Sequence, residues 1–319
     1  MAVDASSVHA LRRDKPAIDA WQPLGQLWEE ERQPAGGTAA VLTVFLAGAE
    51  CPFGCVFCDL WRHTLSGATP PGALPAQLER ALAAAAPPAG SIPHGAQVKL
   101  YNASNFFEAR AVPPGDDEAL AALVAPFEQV VVECHPRLVG DRAERFADRL
   151  RATGTRLQLA MGLETVHPAA LPRLGKAMTL DDFAGATARL RAMGAGVRAF
   201  VLVGAPFVPG AEIADWAERS TAWAFDQGVE HVSLIPTRGD GEAMRHLAAA
   251  GDFEPPTRAM VEEAFVRCLA LGGGVVTLDG WDLDRILTCD ACRAPRRERL
   301  VRMSLSGAVE APIVCERCA

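Results

Sequence analysis

The chain has little aromatic character: one tyrosine, six tryptophans and thirteen phenylalanines among 319 residues. No apolar run approaches the ~20 residues of a membrane-spanning helix, so no membrane partner is expected. No secretory signal is expected either. The first 38 residues mix Arg12, Arg13 and Lys15 with polar residues and hold no apolar stretch of the required length. Nine cysteines are too few for a disulfide-built scaffold. Seven of them fall in two tight clusters that require reduced thiols, which points to a reducing, cytoplasmic setting. Excess positive charge is absent too: a net charge of −8 argues against a broadly basic nucleic-acid binder. One stretch runs against that balance. From residue 285 onward, seven arginines (285, 293, 296, 297, 299, 302, 317) outnumber Asp290, Glu298, Glu310 and Glu316.

Half of the residues are hydrophobic, enough for one large core with a small appendage. From residue 40, apolar runs alternate with helix-like segments, the pattern of a βα-repeat fold with a parallel sheet. Strands are expected at Leu42–Gly48, Val98–Tyr101, Val130–Glu133, Leu157–Gly162, Val197–Gly204 and His231–Ile235. Each is nearly continuous in apolar residues, as strands buried on both faces are. Helices are expected near 75–86, 116–126, 141–152, 180–193 and 211–227, with Thr179 as a cap and Gly194 and Gly228 as left-handed ends. A helix near 257–271 and an extended run at Gly274–Leu278 complete the domain. Six βα units are too few for the closed eight-stranded barrel. The expected organisation is an N-terminal extension over 1–38 packed loosely on the core, a core domain over 39–285, and an appendage over 286–319.

The densest chemical signal is Cys51-Pro52-Phe53-Gly54-Cys55-Val56-Phe57-Cys58, directly after the first expected strand. A cubane cluster takes a cysteine thiolate on each iron, so three thiolates on one loop leave a fourth iron open. A loop of buried thiols or half of a zinc site are the other readings, though zinc sites usually gather cysteines in pairs. The C-x3-C-x2-C spacing with Phe57 before the last cysteine resembles the radical S-adenosylmethionine (radical SAM) superfamily. That resemblance implies an α/β fold built as an open (βα)6 partial barrel, a [4Fe-4S] cluster on Cys51, Cys55 and Cys58, SAM chelating the open iron, and Phe57 beside the adenine.

Further segments, in order, resemble the Elongator catalytic subunit, the radical SAM subunit of archaeosine synthase and the methylthiotransferases. After the second strand the superfamily usually shows Gly-Gly-Glu. Here Lys99-Leu100-Tyr101-Asn102-Ala103-Ser104-Asn105-Phe106 stands instead, and Asn102 and Ser104 would receive the SAM amino group. Glu133, in Glu133-Cys134-His135-Pro136, ends an apolar strand and is expected to face the cavity, because a lone buried carboxylate is costly, and to join the cofactor-binding residues. Within Met161–Thr165, Glu164 would bind the ribose hydroxyls. Lys176 or Arg173 would meet the SAM carboxylate. Gly204 and the strand at Val232–Pro236 would lie beside the adenine.

The second set, Cys289-x2-Cys292 and Cys315-x2-Cys318, reads as a zinc-ribbon-like four-cysteine site with Arg299–Leu305 as a strand before the turn Ser306-Gly307. A second [4Fe-4S] cluster is the alternative. The expected function is reductive cleavage of SAM to a 5′-deoxyadenosyl radical, with an electron donor such as flavodoxin or ferredoxin. The substrate is left open between a tRNA nucleoside, met by the basic tail, and a small metabolite or peptide side chain. A non-catalytic iron–sulfur or zinc protein using the same fold is the competing class.

Overall fold

The computed structural model describes residues 5–12, 15–87 and 90–318, with side chains from residue 8 onward. Eight strands form one sheet in chain order: β1 (Gly25–Arg32), β2 (Thr38–Phe45), β3 (Gln97–Tyr101), β4 (Gln129–Glu133), β5 (Arg156–Glu164), β6 (Gly196–Val203), β7 (His231–Pro236) and β8 (Val275–Leu278). Strands β2 to β8 run parallel, and the sheet curls into a half barrel. A short helix α1 (Ala5–Ala10) precedes it. Helices α2 (Ala73–Ala84), α3 (Asp117–Val124), α4 (Asp141–Ala152), α5 (Leu180–Ala192), α6 (Ile213–Asp226), α7 (Glu242–Ala249) and α8 (Arg258–Ala270) follow the strands. Their caps behave as expected: Thr179 and Asp182 form a capping box on α5, and Gly194 and Gly228 take left-handed φ of 77° and 88°.

Strand alternation divides the core. Val98, Leu100, Val130, Val132, Leu157 and Leu159 point outward and pack with Leu78, Phe146, Leu150 and Phe183 of the helices. The inward face at the amino end is ionic. Arg198 donates to both oxygens of Glu31 at 2.7 and 2.6 Å, Lys99 reaches Glu31 at 2.9 Å and Glu29 at 2.8 Å, and Gln158 accepts from Arg198 Nε at 3.1 Å. Burial raises the Glu31 carboxyl, but Arg198 and Lys99 outweigh it and hold it well below the usual carboxylate range. Each buried charge here has an opposite partner, the condition under which such a plug is tolerated.

Two expectations are corrected. The segment expected to pack loosely over the core supplies β1, which pairs antiparallel with β2 from Gly25 to Arg32 and delivers Glu29 and Glu31 to the plug. Residues 1–4, 13 and 14 of that segment lie outside the described residues. The tail is not a hairpin: after the short α9 (Leu283–Ile286), Arg299–Leu305 lies within helix α10 (Arg293–Ser306). Its Arg, Leu and Met residues are good helix formers, and Arg296, Arg299, Leu300 and Met303 recur at helical spacing as one buried face. Gly307 ends α10 with φ 70°, and the Arg32 guanidinium lies where a Cβ would stand. Helix α10 packs on both β1 and β8, spanning the lateral gap between the two edges of the half barrel.

Candidate active site

The three cysteines occupy the loop after β2, at the carboxyl end of the parallel strands. All three are half-buried. Asn105 from the loop after β3 donates to Cys51 Sγ at 3.2 Å and accepts from the His135 N–H at 2.7 Å, tying the cysteine loop to the end of β4. The His135 ring stacks on Phe53 at 3.8 Å and reaches the Lys176 carbonyl at 2.9 Å. Burial, then the Lys176 charge, lowers His135 to about 4, so the ring is neutral. It acts as a strut beneath the loop. On the outer side, Arg12 and Lys15 both pair with Glu50, and Arg12 and Arg62 flank the Trp61 ring. Burial pushes the thiols of Cys55 and Cys58 up to about 11 and about 12, so cationic metal would have to displace their protons.

Beside this loop lie polar groups without partners. Asn102 is fully buried with both amide atoms unpaired, and the Ser104 and Thr237 hydroxyls are buried and unpaired. Buried polar groups are normally satisfied, so these mark a place for a polar ligand. Ala103 between them takes φ 53°. At the end of β5, Glu164 is held at φ 65°, a strained value for a non-glycine residue. Its Oε1 accepts from Lys176 Nζ at 2.8 Å, with both side chains buried. A Cβ at Gly162 would fall 1.9 Å from Glu164 Oε1 and 2.5 Å from Lys176 Nζ, so this pair needs a glycine beneath it. Arg173, the alternative to Lys176, is instead half-exposed, pairs with Asp252 at 3.2 Å and lies 3.7 Å over the Phe207 ring. Gly204 takes φ 85° and is covered by Pro256, 3.1 Å from a Cβ placed there. Phe57 lines a cavity of about 300 Å³ together with Cys58, Trp61 and residues 240–245, the end of the loop after β7 and the first turn of α7.

No protein-family model and no curated protein sequence matches the chain. Solved structures do. Methylornithine synthase (PylB) superposes with a TM-score of 0.50 at 13% identity, over 74% of this chain and 64% of that one. Elp3 from the archaeon Methanocaldococcus infernus matches at 0.49 and 13%, over 74% and 56%. Escherichia coli coproporphyrinogen III oxidase (HemN), described as a radical SAM enzyme, matches at 0.46 and 15%, over 72% and 52%. The chain thus spans less than two-thirds of the length of each. It shares the fold of methylornithine synthase.

In this half barrel, one inward residue on each parallel strand is half-buried where its strand neighbours are mostly covered: Phe45, Tyr101, Glu133, Gly162, Phe200, Ile235 and Thr277. Together they line the open floor of the barrel. Phe45 and Tyr101 are 6.4 Å apart, Tyr101 and Phe200 6.5 Å, and Phe45 meets the exposed Trp281 edge-on at 5.1 Å. Glu133 is the one carboxyl in the ring, and burial raises it to about 8 despite the opposing Lys176 charge. Composition hid this layer: the only tyrosine stands in it, yet nothing in the sequence marks Tyr101 and Phe200 as neighbours.

The C-terminal cysteines converge. Among the described residues, Cys289, Cys292, Cys315 and Cys318 alone form a group of ligand atoms close enough to share one metal ion, all within 4.8 Å. Arg296 donates to Cys292 Sγ at 3.1 Å and pairs with Glu262 at 2.9 Å, and Arg258 donates to the Cys318 carbonyl at 3.0 Å. Six of the seven tail arginines pair with carboxylates, including Arg299 with Glu262 and Arg302 with Glu310. The basic stretch is therefore committed internally and to the thiol cluster.

Proposed function

We propose that the protein is a radical SAM enzyme. The observation that carries this is the placing of Cys51, Cys55 and Cys58 beside the buried, unpartnered Asn102 and Ser104 at the carboxyl mouth of the half barrel. Three thiol donors suit a [4Fe-4S] cluster with one open iron, and the orphaned polar atoms suit the methionine part of SAM. When bound, the reduced cluster supplies an electron that splits SAM into methionine and a hydrogen-abstracting 5′-deoxyadenosyl radical. The chain's own residues do the rest. Asn102 and Ser104 hold the amino group, Glu164 accepts from the ribose hydroxyls while Lys176 holds its carboxylate in place, and Phe57 closes the adenine against the segment after β7. Asn105 and His135 keep the cysteine loop in register. A small acidic electron carrier such as flavodoxin or ferredoxin is the expected reductant.

Anaerobic reconstitution with iron and sulfide, followed by dithionite and SAM, tests this reading. The expected products are methionine and 5′-deoxyadenosine, lost together with the visible absorbance in Cys51→Ala, Cys55→Ala and Cys58→Ala. Absence of both products from a protein carrying four irons would leave the fold as a non-catalytic platform.

For the appendage we infer a single zinc ion. A tetrahedral Zn–S bond of about 2.3 Å implies sulfur–sulfur edges of about 3.8 Å. Cys289 and Cys315 are 3.9 Å apart and Cys292 and Cys318 3.3 Å. Ligands on four separate irons stand farther apart. A zinc tetrathiolate carries two negative charges, which Arg296 and Arg258 are placed to offset. Elemental analysis distinguishes about four irons and one zinc per chain from eight irons and no zinc.

A further inference from the structure

The floor of the half barrel has a chemistry of its own, and its role as a substrate site rests on the reading that the mouth above it holds SAM. Three aromatic rings, Phe45, Tyr101 and Phe200, run across it, with Trp281 at the rim. Gly162 and Ile235 add no polar side-chain atom. Thr277 is engaged by His231 at 2.9 Å and Ser233 at 3.2 Å. Glu133 is different. Its carboxyl makes no hydrogen bond or ion pair with any described residue, while its half-buried state leaves it open to the chamber. Asp279, just past β8, is a second carboxyl at the edge, and its Oδ1 already accepts from the Trp281 N–H at 3.0 Å.

Among the described residues, the buried and half-buried cations flanking this layer are matched. Lys176 holds Glu164, Arg238 holds Asp59 and Asp282, and Lys99 and Arg198 are locked to Glu29 and Glu31 below the aromatic layer. A phosphate or carboxylate entering the floor would find each of these cations already paired and would face the Glu133 carboxyl. A flat apolar group would be covered by the rings. An ammonium or N–H beside it would satisfy Glu133 and sit against aromatic faces, which attract cations.

We propose that the substrate of this site is a molecule presenting a flat, mainly apolar group with an amine or other N–H donor directed at Glu133, and not an anionic one. This shifts the substrate class away from polynucleotides and toward small amines or basic side chains. Glu133 then recognises substrate and not SAM.

Three probes with one ring and different charge test this: tryptamine, indole and indole-3-acetate, titrated by calorimetry or saturation-transfer NMR into reconstituted protein with SAM present, above pH 8, where the Glu133 carboxyl, raised to about 8 by burial, is ionised. The expected result is saturable tryptamine binding at least ten-fold tighter than indole-3-acetate, with indole between them. Phe200→Ala should weaken tryptamine and indole alike. Glu133→Gln should collapse the tryptamine preference. Equal or tighter binding of indole-3-acetate would overturn the proposal. So would a preference that survives Glu133→Gln, or a loss of SAM affinity in that variant with probe binding intact. Failure of the parent reading looks different: protein that binds tryptamine selectively at Glu133 yet yields no 5′-deoxyadenosine.

Discussion

Removal of the tail metal should detach helix α10 from the side of the barrel while the sheet survives. The helix buries two large apolar side chains, Leu300 and Met303. Their burial contributes about 3–6 kcal/mol together. Ordering its fourteen residues costs about 1–2 kcal/mol each in backbone entropy, or roughly 14–28 kcal/mol. The paired Arg296 and Arg299 add little net, because their desolvation offsets their attraction to Glu262. A structural zinc supplies about 10–16 kcal/mol of folding free energy, which is the missing amount. An ion bound there would therefore be the deciding contribution to whether the lateral gap is closed. The assay uses the full chain carrying Cys51→Ala, Cys55→Ala and Cys58→Ala, so that the tail is the only metal site. Zinc released by a mercurial reagent should be one per chain, and hydrogen exchange should then rise in peptides covering α10 and along β1 and β8, whose edges it covers. Exchange in β3 to β6 should stay slow. Unchanged protection of α10 in metal-free protein would refute this account of the tail.

Other expectations follow from the same packing. Lys176→Met should destabilise the protein by about 3–5 kcal/mol, because it strands the buried Glu164 carboxylate, as chemical denaturation can measure. Gly162→Ala should weaken SAM binding on calorimetry, since the new Cβ occupies the place of the Glu164–Lys176 contact. Burial raises Glu133 from 4.5 to about 8. Its contribution to stability is thus fully present below pH 4.5 and is lost as pH rises toward 8. Glu133→Gln should accordingly raise Tm at pH 8 and change it little at pH 4.5. Arg198→Met alone should cost about 3 kcal/mol by leaving the buried Glu31 with Lys99 as its one remaining cation, and adding Glu31→Leu in the same chain should recover part of that loss in thermal melts.

The sequence by itself determined the repeating βα order, the strands from β2 to β8, the helix caps at Thr179, Gly194 and Gly228, and the two cysteine sets. These are local properties: hydrophobic period, cap chemistry and ligand spacing all act within a few residues. It also placed Glu164 and Lys176 near one another in order, though not as an ion pair. The tertiary structure alone decided the rest. Strand β1 was illegible because Gly25–Arg32 is charged and half-polar, and such a strand makes sense only once Glu29 and Glu31 meet Lys99 and Arg198 from other strands. The tail read as a hairpin because Cys pairs flanking a Val- and Leu-containing run fit a ribbon. Its helix is fixed by the apolar face that packs against β1 and β8, distant in the chain. The aromatic floor has the same cause. Phe45, Tyr101 and Phe200 lie on three separate strands, and only the curl of the sheet turns their side chains toward one space.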